Sequence, residues 1–160
     1  MISLDFLEQV GFFKKFSDHQ LAALQKCGEV LTFQRDEQLF AEGAASRHLW
    51  IVMEGQVALQ FGMQGKKSRD RDAVSFVSES QTFGWSCFVP PYTYRLSGYC
   101  AGRKCKVVAM EKDKLLALFE KDAEIGYSVM NDLVCVVGNH FHRFQDELAK
   151  QMGNDIINAW

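Results

Sequence analysis

The 160-residue chain contains no apolar run near the roughly 20 residues that a bilayer-spanning helix needs, which excludes a simple membrane helix. Its start, Met1-Ile2-Ser3-Leu4-Asp5, lacks the basic head and apolar core of a secretion signal, so a cytoplasmic protein with no membrane partner is expected. An excess of positive charge is also missing. With 18 Lys and Arg against 20 Asp and Glu, no broad field for nucleic acid exists. Five cysteines, Cys27, Cys87, Cys100, Cys105 and Cys135, include no Cys-x-x-Cys pair and no cluster near the start, which points to reduced, mostly buried thiols. Only four histidines are present. His48 alone falls in a β-like run, and His140 and His142, two apart on a helix, diverge, so no metal centre is expected. No Ser or Cys has a His at nucleophile-motif spacing; no catalytic residue is assigned, and binding is expected rather than catalysis.

What is present reads as one domain over 1–160 with helices at both ends. Ser3 precedes Leu4 to Glu8 as a helix cap, and Ser17 precedes Asp18 to Lys26, with Cys27-Gly28 as the stop, which makes 1–28 helical. From 29 to 110 the pattern changes to short β-like runs parted by Gly-containing or polar turns: Glu29 to Gln34, Gln38 to Ala41, His48 to Met53, Gln56 to Gly62, Ala73 to Val77, Tyr94 to Cys100 and Cys105 to Met110. Glu54-Gly55 suggests a hairpin turn, as does Ala101-Gly102-Arg103-Lys104, across which Cys100 and Cys105 would face each other. Strands this short and this evenly spaced suggest a sandwich or jelly roll. The polar stretch Gly62 to Asp72 interleaves basic residues with Asp and reads as a solvated loop.

Helix returns over 111–152, as Lys112 to Lys121 and then Ala123 to about Met152, leaving 153–160 as a tail. Heptad spacing puts Tyr127, Met130, Val134, Val137, Phe141, Phe144 and Leu148 on one seam, while Ile125, Val129, Leu133 and Val136 lie beside it. Two apolar stripes serve two neighbours, the domain itself and a second copy, which makes a homodimer through this helix the expected partner. The other reading is one wide stripe, all of it core. Gly126 and Gly138 lower local propensity and allow kinks.

The most informative stretch is Phe83-Gly84-Trp85-Ser86-Cys87-Phe88-Val89, followed by Pro90-Pro91 and then Arg95-Leu96-Ser97 at the head of a β-like run. A Gly at the mouth of a short helical turn lets backbone amides approach an anion, and an Arg returned by the next strand can clamp it with forked hydrogen bonds. Strand parity would put Arg95, Ser97 and Tyr99 on one face and Tyr94, Leu96 and Cys100 on the other. Arg95 is either that clamp or a solvent-facing strand residue. Burying it without a carboxylate would cost several kcal/mol unless an anion or water compensated.

This pattern resembles the phosphate-binding cassette of cyclic-nucleotide-binding domains, with Gly43, Gly55 and Gly84 where that family uses structural glycines. The resemblance implies a mainly β fold with flanking helices: an eight-stranded jelly-roll β-barrel, N-terminal helices and a long C-terminal helix. It also implies a non-catalytic sensor for cyclic AMP or a related anionic nucleotide, with no cofactor, contacting Phe83, Gly84, Trp85, Ser86, Cys87, Arg95, Leu96 and Ser97. In the family a Glu stands where Trp85 does and accepts from the ribose hydroxyl. An indole has one donor and no acceptor, so that contact is lost. Because the given sequence ends at Trp160, a stand-alone sensor without the DNA-reading domain of the related transcription factors is expected. A second reading is a scaffold that has lost its ligand and works through the C-terminal helix or an aromatic surface around Trp50.

Overall fold

In the computed structural model, which describes residues 1–62 and 73–159, both serine caps act where the sequence puts them. Ser3 Oγ accepts from the Phe6 amide at 3.2 Å and opens α1 (Leu4–Gln9). Ser17 and Gln20 form a reciprocal capping box that opens α2 (Asp18–Gln25), so two amides without helical partners are satisfied locally. The 3-10 turn Gly11–Phe13 between them buries Phe12 and Phe13.

The strands are β1 (Gly28–Gln34), β2 (Gln38–Phe40), β3 (His48–Gln60), β4 (Ser75–Val77), β5 (Thr82–Phe83) and β6 (Ser97–Glu111). All pairings are antiparallel, in the order β1-β6-β3-β4, with β2 also on β6 and β5 on β3. The layout is jelly-roll-like without closing into a barrel. Among the described residues it has six strands rather than the eight the resemblance implies: two glycines expected to reverse the chain bend it instead, which merges four of the seven expected runs into β3 and β6, and β5 is a strand the sequence pattern did not mark.

Gly55 has φ of 82° and Gly102 has φ of 80°, both in the left-handed region. Yet β3 stays paired to β6 on both sides of them, Leu49 to Val52 opposite Val107 to Met110 and Gln56 to Gln60 opposite Ser97 to Ala101. Between these blocks the register slips, with Glu54 opposite Lys106 and Gln56 opposite Ala101, so the extra residues on β6 form a bulge that turns the ladder. Glu54-Gly55 and Ala101 to Lys104 are therefore opposed bulges in two long strands and not hairpin turns. A Cβ on Gly55 would lie 2.6 Å from the Lys104 carbonyl oxygen. Cys100 and Cys105 flank the bulge on one strand as free, buried thiols. The polar stretch read as a loop lies at 63–72 outside the described residues.

Two clusters fill the interior. One joins the helices to the sheet through Leu7, Phe13, Leu24, Ile51, Met110 and Leu115. The other lies within the roll around Trp50, Val52, Val57, Phe83, Tyr94 and Val107. Trp50 is 4% exposed, so the aromatic surface imagined around it does not exist.

After α3 (Lys112–Lys121), Asp122 accepts from the amides of Glu124 and Ile125 and starts α4 (Ala123–Asn158). The helix passes unbroken through Gly138 and through Gly126, whose missing Cβ admits Phe119. It also absorbs most of the expected tail. Ile125, Val129 and Leu133 are buried in the core with Val136 packed beside them, whereas Tyr127, Val134, Phe141, Phe144 and Leu148 are exposed. Met130 and Val137, placed on the seam by heptad spacing, pack partly against the core. The two stripes thus meet different surroundings, and a single wide core stripe does not describe them. Among the described residues, no helix is long and apolar enough to cross a membrane.

Truncating the core stripe and the exposed stripe will separate their roles in stability. Ile125→Ala, at a fully buried position, is expected to cost about 2–5 kcal/mol in urea unfolding. Val134→Ala, 71% exposed, is expected to change stability by less than about 0.5 kcal/mol.

Candidate functional site

Gly84 adopts φ of 73°, and a Cβ there would meet Trp50 Cδ1 at 2.6 Å, so only glycine fits at this corner between β5 and the next turn. The turn Trp85–Phe88 is a 3-10 helix of four residues rather than a longer α-helix. Its first internal bond runs from the Cys87 amide to the Gly84 carbonyl at 3.3 Å, so the Trp85 and Ser86 amides precede the hydrogen-bonded ladder. Ser86 Oγ donates to Ser46 Oγ at 3.0 Å, which ties the turn to the loop after β2.

That same loop fixes the chain leading to Arg95. The Ser46 amide donates to the Tyr92 carbonyl, Tyr94 N–H to the Ala44 carbonyl, and Gly43 N–H to the Tyr94 carbonyl, at 2.8 to 3.0 Å. Tyr92 receives Lys112 Nζ over its ring at 3.5 Å, a cation–π contact. Tyr94 is buried, its hydroxyl accepting from Trp50 Nε1 at 3.0 Å and its ring stacked on Phe40 at 3.9 Å. Burial pushes its pKa up, against the opposing effect of the Trp50 bond.

Because β6 starts at Ser97, Arg95 and Leu96 lie in the preceding loop and the expected strand parity does not govern them. Arg95 is exposed, so water solvates its charge and the cost of burying an unpaired guanidinium does not arise. It nevertheless borders a cavity of about 630 Å³ together with Gly84, Trp85, Ser86, Tyr94 and Leu96. The remaining wall includes Leu59 and Val74 from the sheet side and His140, Arg143, Phe144 and Glu147 from α4.

Of the eight residues expected at the site, Gly84, Trp85, Ser86, Arg95 and Leu96 come together on this cavity. Phe83, Cys87 and Ser97 do not line it. Phe83 packs on Trp50 and Phe40 within the roll. Cys87 is fully buried beneath the turn, where desolvation pushes its thiol to about 12, so it offers neither a thiolate nor a ligand contact. Ser97 is buried, and its hydroxyl accepts from the Glu42 amide at 2.9 Å.

The Trp85 indole does not plug the hollow. It forms part of the wall and meets the His140 ring edge to face, with centroids 6.4 Å apart and planes at 90°. Desolvation, and secondarily the Arg143 charge, hold the His140 pKa below its ordinary value. Sequence reasoning missed the α4 wall. The signal was available in the polar residues His140, Arg143, Glu147 and Lys150, which recur at helical spacing beside the apolar seam. Among the described residues, no group of three or more His, Cys, Asp or Glu is arranged to hold a metal.

A roll bracketed by helices, with a glycine-led turn and an arginine bordering one cavity, defines a class of jelly-roll-like domains with a small-molecule-sized cavity. The cyclic nucleotide-binding domain family matches residues 30–122, and the chain belongs to it. A CRP-like cAMP-activated global transcriptional regulator of Mycobacterium tuberculosis is 24% identical over 152 residues, covering 95% of this chain and 64% of that protein. The chain therefore spans less than two-thirds of that relative's length. A Geobacter metallireducens structure named for cyclic nucleotide binding is 25% identical with a TM-score of 0.74, covering 89% of this chain and all of the other. A cyclic nucleotide-binding domain from Methylobacillus flagellatus, 18% identical over 92% of this chain and 81% of its own, shares the fold with a TM-score of 0.73.

Gly84→Ala tests whether the corner is as tight as it looks. The left-handed backbone and the clash with Trp50 together are expected to cost about 1–3 kcal/mol in urea unfolding, whereas wild-type stability would show that the turn can move away from Trp50.

Proposed function

We propose that this domain is a non-catalytic sensor that binds cyclic AMP or a related anionic ligand in the cavity between the Trp85–Phe88 turn and α4, and signals through α4. The observation that carries the reading is the convergence of Arg95 with Gly84 and Ser86 on one open cavity. Its volume falls within the roughly 300–1,000 Å³ of small-molecule sites. The cAMP-activated mycobacterial relative supports the nucleotide class. With Trp85 in place of a carboxylate, recognition rests on the anion and on ring contacts rather than on a ribose hydroxyl.

Helix α4 is the natural transmitter because it touches the start of the turn, while α3, just before it in the chain, touches the end. Trp85 meets His140 on α4, and Phe88 meets Phe119 on α3 with centroids 6.1 Å apart. A ligand that orders the turn differently in two arrangements of α4 shifts their populations by its differential affinity. The exposed stripe Tyr127, Val134, Phe141 and Leu148, one residue every seven, is the surface through which a second copy pairs to form a homodimer.

Isothermal calorimetry with cyclic AMP tests the site. Binding is expected in the wild type and weakened at least about tenfold in Arg95→Ala, the loss of a charge-assisted contact; equal affinity in the two proteins would contradict the assignment. Sedimentation of Phe141→Glu tests the seam. A monomer is expected where the wild type sediments as a dimer, and an unchanged dimer would place the interface elsewhere.

A further inference from the structure

The cavity that Arg95 borders has a second wall, from α4, that carries Arg143 and Lys150 alongside Asp146 and Glu147. His140, Arg143, Glu147 and Lys150 follow one another at spacings of three, four and three and share a face of α4 that borders the cavity. Lys150 is compensated on the helix by Glu147, Nζ to Oε1 at 3.4 Å. Arg143 is different: it forms no hydrogen bond or ion pair with any described residue, although Asp146 and Glu147 follow it on the same helix and border the same space. Arg95 likewise has no ion-pair partner among the described residues. Two guanidiniums without an ion-pair partner among the described residues, 48 positions apart in sequence, thus border one cavity from its two walls.

Aromatic rings supply much of the remaining surface: Phe40 and Tyr94 stacked in the floor, Trp85 at the turn and Phe144 on α4. Such walls suit the flat face of a planar ring. Resting on the site reading above, we propose that the pocket selects a planar aromatic ligand carrying at least two negative charges, one met by Arg95 and the other by Arg143. A cyclic phosphodiester carries a single negative charge and satisfies one guanidinium. A phosphomonoester, with its second ionisation near pH 6, carries close to two at neutral pH and satisfies both. Arg143 is then a specificity-determining residue, and its capture would draw α4 toward the Trp85–Phe88 turn.

Adenosine 5′-monophosphate and cyclic AMP share a base and differ by about one charge, so calorimetry with both at low salt tests the idea. The wild type is expected to bind the monophosphate about tenfold or more tightly than the cyclic nucleotide. Arg143→Ala, at an exposed helix position that circular dichroism will confirm as folded, is expected to erase that preference by weakening the monophosphate about tenfold more than cyclic AMP. Arg95→Ala is expected to weaken both ligands. No preference for the monophosphate, or a preference that survives Arg143→Ala, overturns the inference; cyclic AMP binding that still depends on Arg95 would leave the site reading standing. Absence of binding by either nucleotide at millimolar concentration overturns both.

Discussion

The hydrogen bond from Trp50 Nε1 to the Tyr94 hydroxyl, 3.0 Å long inside the roll, is the contact on which the site's geometry depends. Trp50 lies on β3, where its Cα partner across β5 is Phe83, and its ring edge occupies the space that a side chain on residue 84 would need. Tyr94 immediately precedes Arg95. One indole therefore sets the corner that launches the Trp85–Phe88 turn and holds the chain that delivers the arginine. Phe40 completes the arrangement by stacking on Tyr94 and filling the space beside Gly98. Without a partner, the buried indole N–H and phenol would each cost on the order of 1–3 kcal/mol, so their pairing favours one arrangement of this cluster.

Above this rigid floor the cavity is open, and its charges are exposed rather than buried. That suits the proposed site, in which the ligand would bring the compensating anion: Arg95 and Arg143 are exposed to water without it, and neither requires a buried carboxylate. The wall opposite the turn belongs to α4, whose root is anchored by Ile125, Val129 and Leu133, while its side chains from 141 to 150 are exposed. A helix fixed at one end and free beyond it can respond to a contact along its length with a change at its far surface. Phe144 lies at the junction, assigned by heptad spacing to the exposed seam and also bordering the cavity. In the proposed reading, ligand occupancy and helix pairing would therefore compete for, or cooperate through, the same ring.

The sequence carried the architecture further than the site. Caps at Ser3 and Ser17, the α3–α4 break and the division of α4 into two stripes follow from local hydrogen bonding and helical periodicity, which act over a few residues. Strand number did not follow, because a glycine with positive φ makes a hairpin turn or a bulge depending on whether the partner strand continues opposite it, and that is decided by long-range pairing of β3 with β6. At the site, Gly84 and Ser86 were legible from the turn chemistry. The parity argument at Arg95 failed because the loop anchored by Ala44 and Ser46 delays the strand until Ser97. Tyr94 as a buried anchor required the tertiary fold, since its partner Trp50 lies far away in sequence, whereas the α4 face carrying Arg143 was periodic in the sequence and only the cavity it borders was set by packing.

Amide and indole chemical-shift mapping by ¹H–¹⁵N NMR during titration with adenine nucleotide tests the central claim most directly. The account predicts that the largest shifts fall on the Gly84, Trp85 and Ser86 amides and on the Trp85 indole N–H, with α4 residues around His140 and Arg143 moving in step. Shifts confined to other surfaces, or none at saturating nucleotide, would contradict it.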